Sequence, residues 1–325
     1  MEIPFIKCHG SGNDFILIDE IKNPLSLSEK QRKDISRLLC DREHGIGSDG
    51  VLFVLPSEKA EAQMRMFNSD GTEAEMCGNG LRCVARHMID ALGEKEIAIE
   101  TKEAVLDVSQ VKEIFPGVDT FAVAIEPVSF APSSLPMNVK DKEAIDVSIP
   151  ELSTNRTFTA LSVPNPHVVS IVDHIDQREL KIAGQKANAI PELFPRGVNV
   201  SFVKVMDSNK IFVQTYERGV GLTNACGTAM SASSLVSTIL GPNEVGVPIV
   251  VMNKGGLVNC VVEKKDEGFR IQLRGNGTNV YESKVTVNSE CTEFELHEKH
   301  FFTDENEKYE KLKEYASSQV RSESI

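Results

Sequence analysis

The chain has 325 residues, 41% of them hydrophobic and 26% charged, a globular composition that excludes a mostly disordered protein. That length fits one large domain or two of ordinary size, and two is the expectation. A formal net charge of −13, with no dense Lys/Arg stripe, repels a phosphate backbone, so no nucleic acid is expected as a partner.

The first stretch, "MEIPFIKCHGSGNDFILIDE", has no basic segment followed by a long apolar run, so neither a signal peptide nor a membrane anchor is expected. No later stretch reaches membrane-spanning length, so no membrane partner is expected either. Within it, "GSGNDF" places Asn13 in a glycine-rich turn ahead of the predicted strand "FILIDE". Strands "VLFVL" and "QMRMFNSD" follow, the second reaching Asn68. After Cys77, the residues Leu81, Val84, Ala85, Met88 and Leu92 recur at helical spacing, so that cysteine sits where a loop turns into a helix. Strand "FAVAIE" leads into the Pro- and Ser-rich loop from Glu126 to Val139, the expected domain boundary.

Beyond the boundary, "VPNPHVV" holds Asn165 and His167 in a turn stiffened by Pro164 and Pro166, and "VVSIVD" continues as a strand. Asn199 begins the strand "VSFVKV", and "IFVQTY" runs into "YERG" with Glu217 and Arg218. A second helix follows Cys226, rich in Ser, Ala and Thr before Leu235, Val236, Ile239 and Leu240; small side chains there suit an enclosed helix. Strands "VNCVVE" and "VYESKVTV" close the patterned region. The polar tail from Asn288 to Ile325 keeps Tyr309, Leu312, Ala316 and Val320 at helical spacing, which leaves open a docked amphipathic helix or a frayed, solvated segment.

A single offset in numbering pairs Cys77 with Cys226, Gly78 with Gly227, Phe67 with Tyr216, Phe53 with Phe202 and Val54 with Val203. The same register sets Asn68 against Glu217. The expected fold is therefore α+β, built as two pseudo-symmetric repeats. Residues 1–128 form the first half, 129–279 the second, and 289–325 an acidic extension.

A helix N-terminus has unpaired N–H groups and a partial positive charge, so it favours a thiolate and binds a carboxylate. The N–H groups of Gly78 and Asn79, and of Gly227 and Thr228, suit a shared carboxylate, with Cys77 and Cys226 as acid/base groups on two faces of one carbon. Racemisation or epimerisation is the reaction that needs such a pair. Taken singly, each Asn is more often a turn residue than a ligand contact; together they would furnish donors and acceptors for both ends of a zwitterion. The remaining cysteines carry no such context: Cys8, Cys40, Cys260 and Cys291 read as small core hydrophobes. Cys83 with His87 lacks a second Cys/His pair, so no metal site is expected. Seven scattered cysteines in a chain this long fit reduced thiols in a cytoplasm.

In "HGSGNDF", "FNSDGTEAEMCGNGLRCVAR", "PNPHVV", "GVNVSF", "YERG" and "ACGTA" the chain resembles the diaminopimelate epimerases. The resemblance extends to about Val287, and "MCGNG" with "ACGT" at this separation is specific to a broader fold family that includes proline racemase-like enzymes. It implies that each half is a β-sheet wrapped around a central helix, with the active site between the halves and strand 280–288 returning to the first. It also implies a homodimer without cofactor. Cys77 and Cys226 would be the acid/base pair, supported by His167 and Glu217. Asn13, Asn68, Asn165, Asn199, Glu217 and Arg218 would contact diaminopimelate, with the backbone at Gly78, Asn79, Gly227 and Thr228. The implied reaction interconverts the LL and meso forms, for lysine and peptidoglycan precursors.

Three positions depart from the family pattern as we read it. Gly50 stands where a substrate-contacting Gln is common, Leu222 replaces a Glu, and Ala229 replaces a Gly. The departure at Gly50 keeps open a racemase of another amino acid, such as histidine, by the same chemistry. A thiol-based redox or metal-sensing module without turnover is the reading from a different class.

Overall fold

A computed structural model of the chain describes residues 1–138, 142–241 and 243–322. It divides into two compact units, Met1–Val123 with Gly275–Leu312, and Ala124–Arg274 with Lys313–Ile325. Val139, the end of the expected boundary loop, and the side chain of Val320 lie outside the described residues.

The first unit opens with an antiparallel hairpin, β1 (Glu2–Gly10) and β2 (Asn13–Asp19). Its two-residue turn has positive φ at both positions, Ser11 at 55° and Gly12 at 79°, which matches the twist of the flanking strands. Helix α1 (Glu29–Cys40) starts at a capping box in which Ser28 and Gln31 satisfy each other's backbone N–H groups. Strand β3 (Gly50–Leu55) pairs parallel with β2, and β4 (Ala62–Asn68) antiparallel with β3. Helix α2 (Gly78–Leu92) follows and stops at Gly93, whose φ of 71° puts it in the left-handed region. Strand β5 (Glu96–Glu100) is parallel to β4, β6 (Val105–Val111) antiparallel to β5, and β7 (Thr120–Ile125) antiparallel to β6.

The second unit repeats this plan. The short β8 (Val147–Ser148) pairs with β9 (Thr157–Ser162), which pairs antiparallel with β10 (Pro166–Ile171). After α3 (Gln177–Ala187), β11 (Asn199–Asp207) is parallel to β10 and β12 (Lys210–Glu217) antiparallel to β11. The three-residue β13 (Gly221–Thr223) folds back on β12 ahead of α4 (Gly227–Leu240). Then β14 (Ile249–Asn253) is parallel to β12, β15 (Gly256–Lys264) antiparallel to β14, and β16 (Phe269–Asn276) antiparallel to β15.

Apart from β8 and β13, both units show one pairing order: antiparallel, parallel, antiparallel, parallel, antiparallel, antiparallel. In each, one helix is wrapped by sheet. Helix α2 packs on β1 to β6, and α4 on β9, β10, β11, β12, β14 and β15. The outer helices α1 and α3 lie on β3 and β4, and on β11 and β12. The α+β fold with two sheet-around-helix repeats read from the sequence is the fold the chain has.

Helix α4 is enclosed as its composition suggests, with every residue from Gly227 to Ser237 buried. Two of its serines are satisfied within the helix: Ser231 and Ser234 donate to the carbonyls of Gly227 and Met230, at 3.0 and 2.8 Å.

The chain then returns to the first unit. Strand β17 (Thr278–Val287) pairs antiparallel with β1, and β18 (Phe294–Leu296) and β19 (His300–Phe301) add to β17. The tail ends in helix α5 (Thr303–Ser322), with Tyr309, Leu312 and Ala316 buried on one face. Of the two readings left open for the tail, the docked amphipathic helix is the one observed. Cys8, Cys40, Cys260 and Cys291 are buried, as expected of core residues. Among the described residues no helix is long and apolar enough to cross a membrane.

Candidate active site

In the first unit the polar residues gather at the mouth of α2. Cys77 is the N-cap, in extended conformation at φ −145°, and its Sγ accepts the Gly80 N–H at 3.4 Å. The first helical bond runs from Leu81 N to Cys77 O at 2.8 Å, so the N–H groups of Gly78 and Asn79 precede the hydrogen-bonded part of the helix. Close packing fixes this turn. A Cβ on Gly10 would lie 2.7 Å from the Asn79 carbonyl oxygen, and one on Gly80 would lie 2.7 Å from Leu52 Cδ2.

The β1–β2 turn delivers Asn13 to the same place. Its Oδ1 accepts from Asn79 Nδ2 at 3.2 Å, and its Nδ2 donates to Asp49 at 2.5 Å. Asp49 is in turn paired with Arg42 at 2.7 Å. Asn68, the last residue of β4, instead donates to Thr72 Oγ1 at 2.9 Å and lies opposite Gly50 on β3. A Cβ at Gly50 would stand 2.6 Å from the Phe67 carbonyl oxygen and 2.8 Å from Met66 Cε, so this backbone has no room for a side chain there.

The second unit brings its residues together more tightly. Cys226 caps α4 in the same extended conformation, with Thr228 Oγ1 3.5 Å from its Sγ. Glu217 ends β12 as Asn68 ends β4, and its carboxyl has Thr223 and Cys226 as neighbours. Asn199, buried at the start of β11, accepts the Arg218 N–H at 3.0 Å, while the Arg218 guanidinium donates to Arg196 O at 3.0 Å. His167, fully buried, lies beside Asn199 in the parallel β10–β11 register and faces Asn165 Oδ1 at 2.9 Å.

The electrostatics correct one expectation. Helix N-termini were expected to favour the thiolates, but burial outweighs them. It pushes the Cys77 thiol up to about 11, although the Gly80 and Asn79 N–H groups and the Arg82 charge pull the other way. Burial raises Cys226 well above the usual thiol range, and the neighbouring Glu217 carboxylate adds to the rise. Glu217 itself is raised by burial, against the opposing effect of the neighbouring Thr223 and Cys226. His167 is pushed down to about 3, chiefly by burial and then by the Arg218 charge, so it is a neutral imidazole.

Two residues beside these were not singled out from the sequence. Asp49 orients Asn13, and Thr223 flanks Glu217; each adjoins a position noted as a departure, Gly50 and Leu222. Leu222 is itself partly exposed on β13, and Ala229 is buried in the first turn of α4. Among the described residues no group of three His, Cys, Asp or Glu side chains is placed to hold a metal ion.

Against known proteins, the pattern of the family described as diaminopimelate epimerase matches residues 5–116 and 159–278. A diaminopimelate epimerase of Clostridium acetobutylicum is 44% identical over 97% of this chain and 95% of its own length. One of Listeria welshimeri is 44% identical over 90% of this chain and 91% of its own. Among solved structures, a Bacillus anthracis phenazine biosynthesis protein of the PhzF family superposes with a TM-score of 0.65 at 18% identity, covering 88% of this chain and all (100%) of the other. A hydroxyproline epimerase from Agrobacterium vitis gives 0.59 at 15% identity, with 89% and 92% covered. These structural likenesses speak for the fold.

Proposed function

This chain belongs to the diaminopimelate epimerase family, and from that premise we propose that it interconverts LL-2,6-diaminopimelate and meso-2,6-diaminopimelate. The product feeds lysine and peptidoglycan precursor synthesis. The observation that carries the mechanism is the recurrence: each unit caps its enclosed helix with a cysteine followed by glycine, at the same point in the same strand order. Cys77 and Cys226 are the acid/base pair. One sulfur takes the α-proton while the other returns a proton to the opposite face of that carbon.

With both thiols raised by burial, turnover draws on a chain in which one has ionised and the other has kept its proton. His167 and Glu217 support Cys226. Asn13, Asn68, Asn165, Asn199, Glu217 and Arg218 bind substrate, with the N–H groups of Gly78, Asn79, Gly227 and Thr228 on its carboxylate. Fixed dipoles of this kind stabilise the carbanion-like transition state, so the reading requires neither pyridoxal phosphate nor a metal. The protein works as a homodimer in the cytoplasm. Incubation with LL-diaminopimelate in deuterated water tests the activity: label enters Cα as the meso form appears. Label entering only another amino acid, or none at all, rejects it.

A further inference from the structure

The tail folds as helix α5, and nothing in the epimerase chemistry above uses it. Its contacts run to the catalytic helix of the first unit. On α5, Glu305 and Tyr309 stand one turn apart on one face. On α2, the helix capped by Cys77, Arg82 and Arg86 stand one turn apart in the same way. Glu305 forms an ion pair with Arg86 and accepts the Asn279 N–H at 2.6 Å, while Arg86 also donates to Gly277 O at 2.8 Å. Tyr309, 3% exposed, lays its ring on His9 with centroids 4.3 Å apart.

From His9 a buried network leads to the site. Asn276 Nδ2 donates to the His9 carbonyl at 3.2 Å, and its Oδ1 accepts the Ser11 N–H at 2.8 Å. The carbonyl of Asn276 accepts from Arg82 Nε at 3.0 Å, and Arg82 reaches Ser11 Oγ at 2.9 Å. Ser11 is half of the turn that presents Asn13, and the neighbouring Gly10 lies against the Asn79 backbone.

We propose that α5 is a positioning element for catalysis: Glu305 and Tyr309 hold Arg86 and the His9–Asn276–Arg82–Ser11 network, and thereby the first turn of α2 and the Asn13 turn. The tail is then part of the machinery, acting through α2 without touching substrate. This rests on the epimerase reading only for its kinetic readout. Sub-ångström order at Gly78 and Asn79 is what a carboxylate cradle needs, and slack there should cost on the order of tenfold or more in kcat/KM.

The test uses full-length Tyr309→Ala, Glu305→Gln and Tyr309→Phe. Three quantities are read: kcat and KM on LL-diaminopimelate, backbone hydrogen–deuterium exchange of residues 77–82, and the rate at which iodoacetamide modifies Cys77 relative to Cys226. For Tyr309→Ala we expect faster exchange over 77–82, a changed Cys77 rate with Cys226 unaltered, and at least a tenfold loss in kcat/KM. Glu305→Gln should give the same pattern more weakly, and Tyr309→Phe, which keeps the ring against His9, should lose less than Tyr309→Ala by every readout. Wild-type exchange and Cys77 modification in both Tyr309→Ala and Glu305→Gln would overturn the proposal. So would loosening shared equally by the first turn of α4. If Tyr309→Ala does not fold, Glu305→Gln decides alone by the same readouts. Should wild type prove inactive on diaminopimelate, exchange and modification still report on the coupling.

Discussion

His167 turns its Nε2 to Asn165 Oδ1, 2.9 Å away, and its buried Nδ1 has no hydrogen-bond partner among the described residues. An oxygen acceptor fixes the proton on Nε2, so Nδ1 holds the lone pair of a neutral ring. Burial, then the Arg218 charge, hold the imidazole down to about 3. Below the ordinary histidine value of about 6.5, the unfolded chain therefore binds a proton that the native one refuses. The stability is fully present above that value and is lost as pH falls toward the folded one, at about 1.4 kcal/mol per pH unit. Urea unfolding of wild type and His167→Gln between roughly pH 7.5 and 4.5 reads this. The variant should lose about one proton's worth of slope, and parallel curves would show that His167 does not titrate this way.

Thiol reactivity separates the two cysteines. With its thiol raised to about 11, Cys77 should be alkylated by iodoacetamide at a rate still climbing at pH 9, by up to about tenfold per pH unit. Cys226, with the Glu217 carboxylate beside it, should react more slowly at every pH. Glu217→Gln removes that charge and should speed modification of Cys226 while leaving Cys77 unchanged. Peptide mass spectrometry resolves the two sites, and a Cys77 plateau near pH 8 would contradict the effect of burial.

In the proposed mechanism, replacing either cysteine by alanine leaves nothing to serve one face of Cα. Cys77→Ala and Cys226→Ala should each lose roughly 10²–10⁴-fold or more in turnover. Serine variants should be nearly as poor, because a hydroxyl is a far weaker acid than a thiol. LL-to-meso conversion under reducing conditions is the measurement. Near wild-type turnover in either alanine variant ends the two-base mechanism.

Gly10→Ala tests the packing under the Cys77 turn. The added methyl would meet the Asn79 carbonyl oxygen at 2.7 Å and its Cα at 3.1 Å, backbone atoms that cannot swing aside. Overpacking of this kind costs about 1–3 kcal/mol, and relief requires α2 to move with Cys77 on it. Both melting temperature and kcat should fall. A variant with unaltered melting and turnover would mean that the close approach is absent.

The enclosed helices were legible because Cys77 and Cys226 each stand before a glycine and an apolar spacing that no strand would use. The strands in "VLFVL" and "VSFVKV" showed by a different pattern, as short apolar segments with strand-like alternation. Helix α1 did not stand out, since "EKQRKDISRLLC" is polar on most of its surface, although the Ser28 and Gln31 capping box was available as a signal. Contacts between distant residues were beyond reach: Asn13 with Asp49, and Tyr309 with His9, depend on how the sheet brings strands together. The sign of the thiol shifts was missed because helix position can be read from residue order, whereas depth of burial emerges only when the sheet closes.

Helix α4 also has a folding consequence. A segment that opens on serine, threonine and alanine, several of whose hydroxyls bond to its own carbonyls, has little reason to be helical in water by itself, and its apolar residues Met230, Leu235 and Val236 are buried only with the sheet around them. It gains its stability only when strands close on every side, which makes it a late element of a cooperative transition. The Cys226 thiol at its mouth is set in place in that same step.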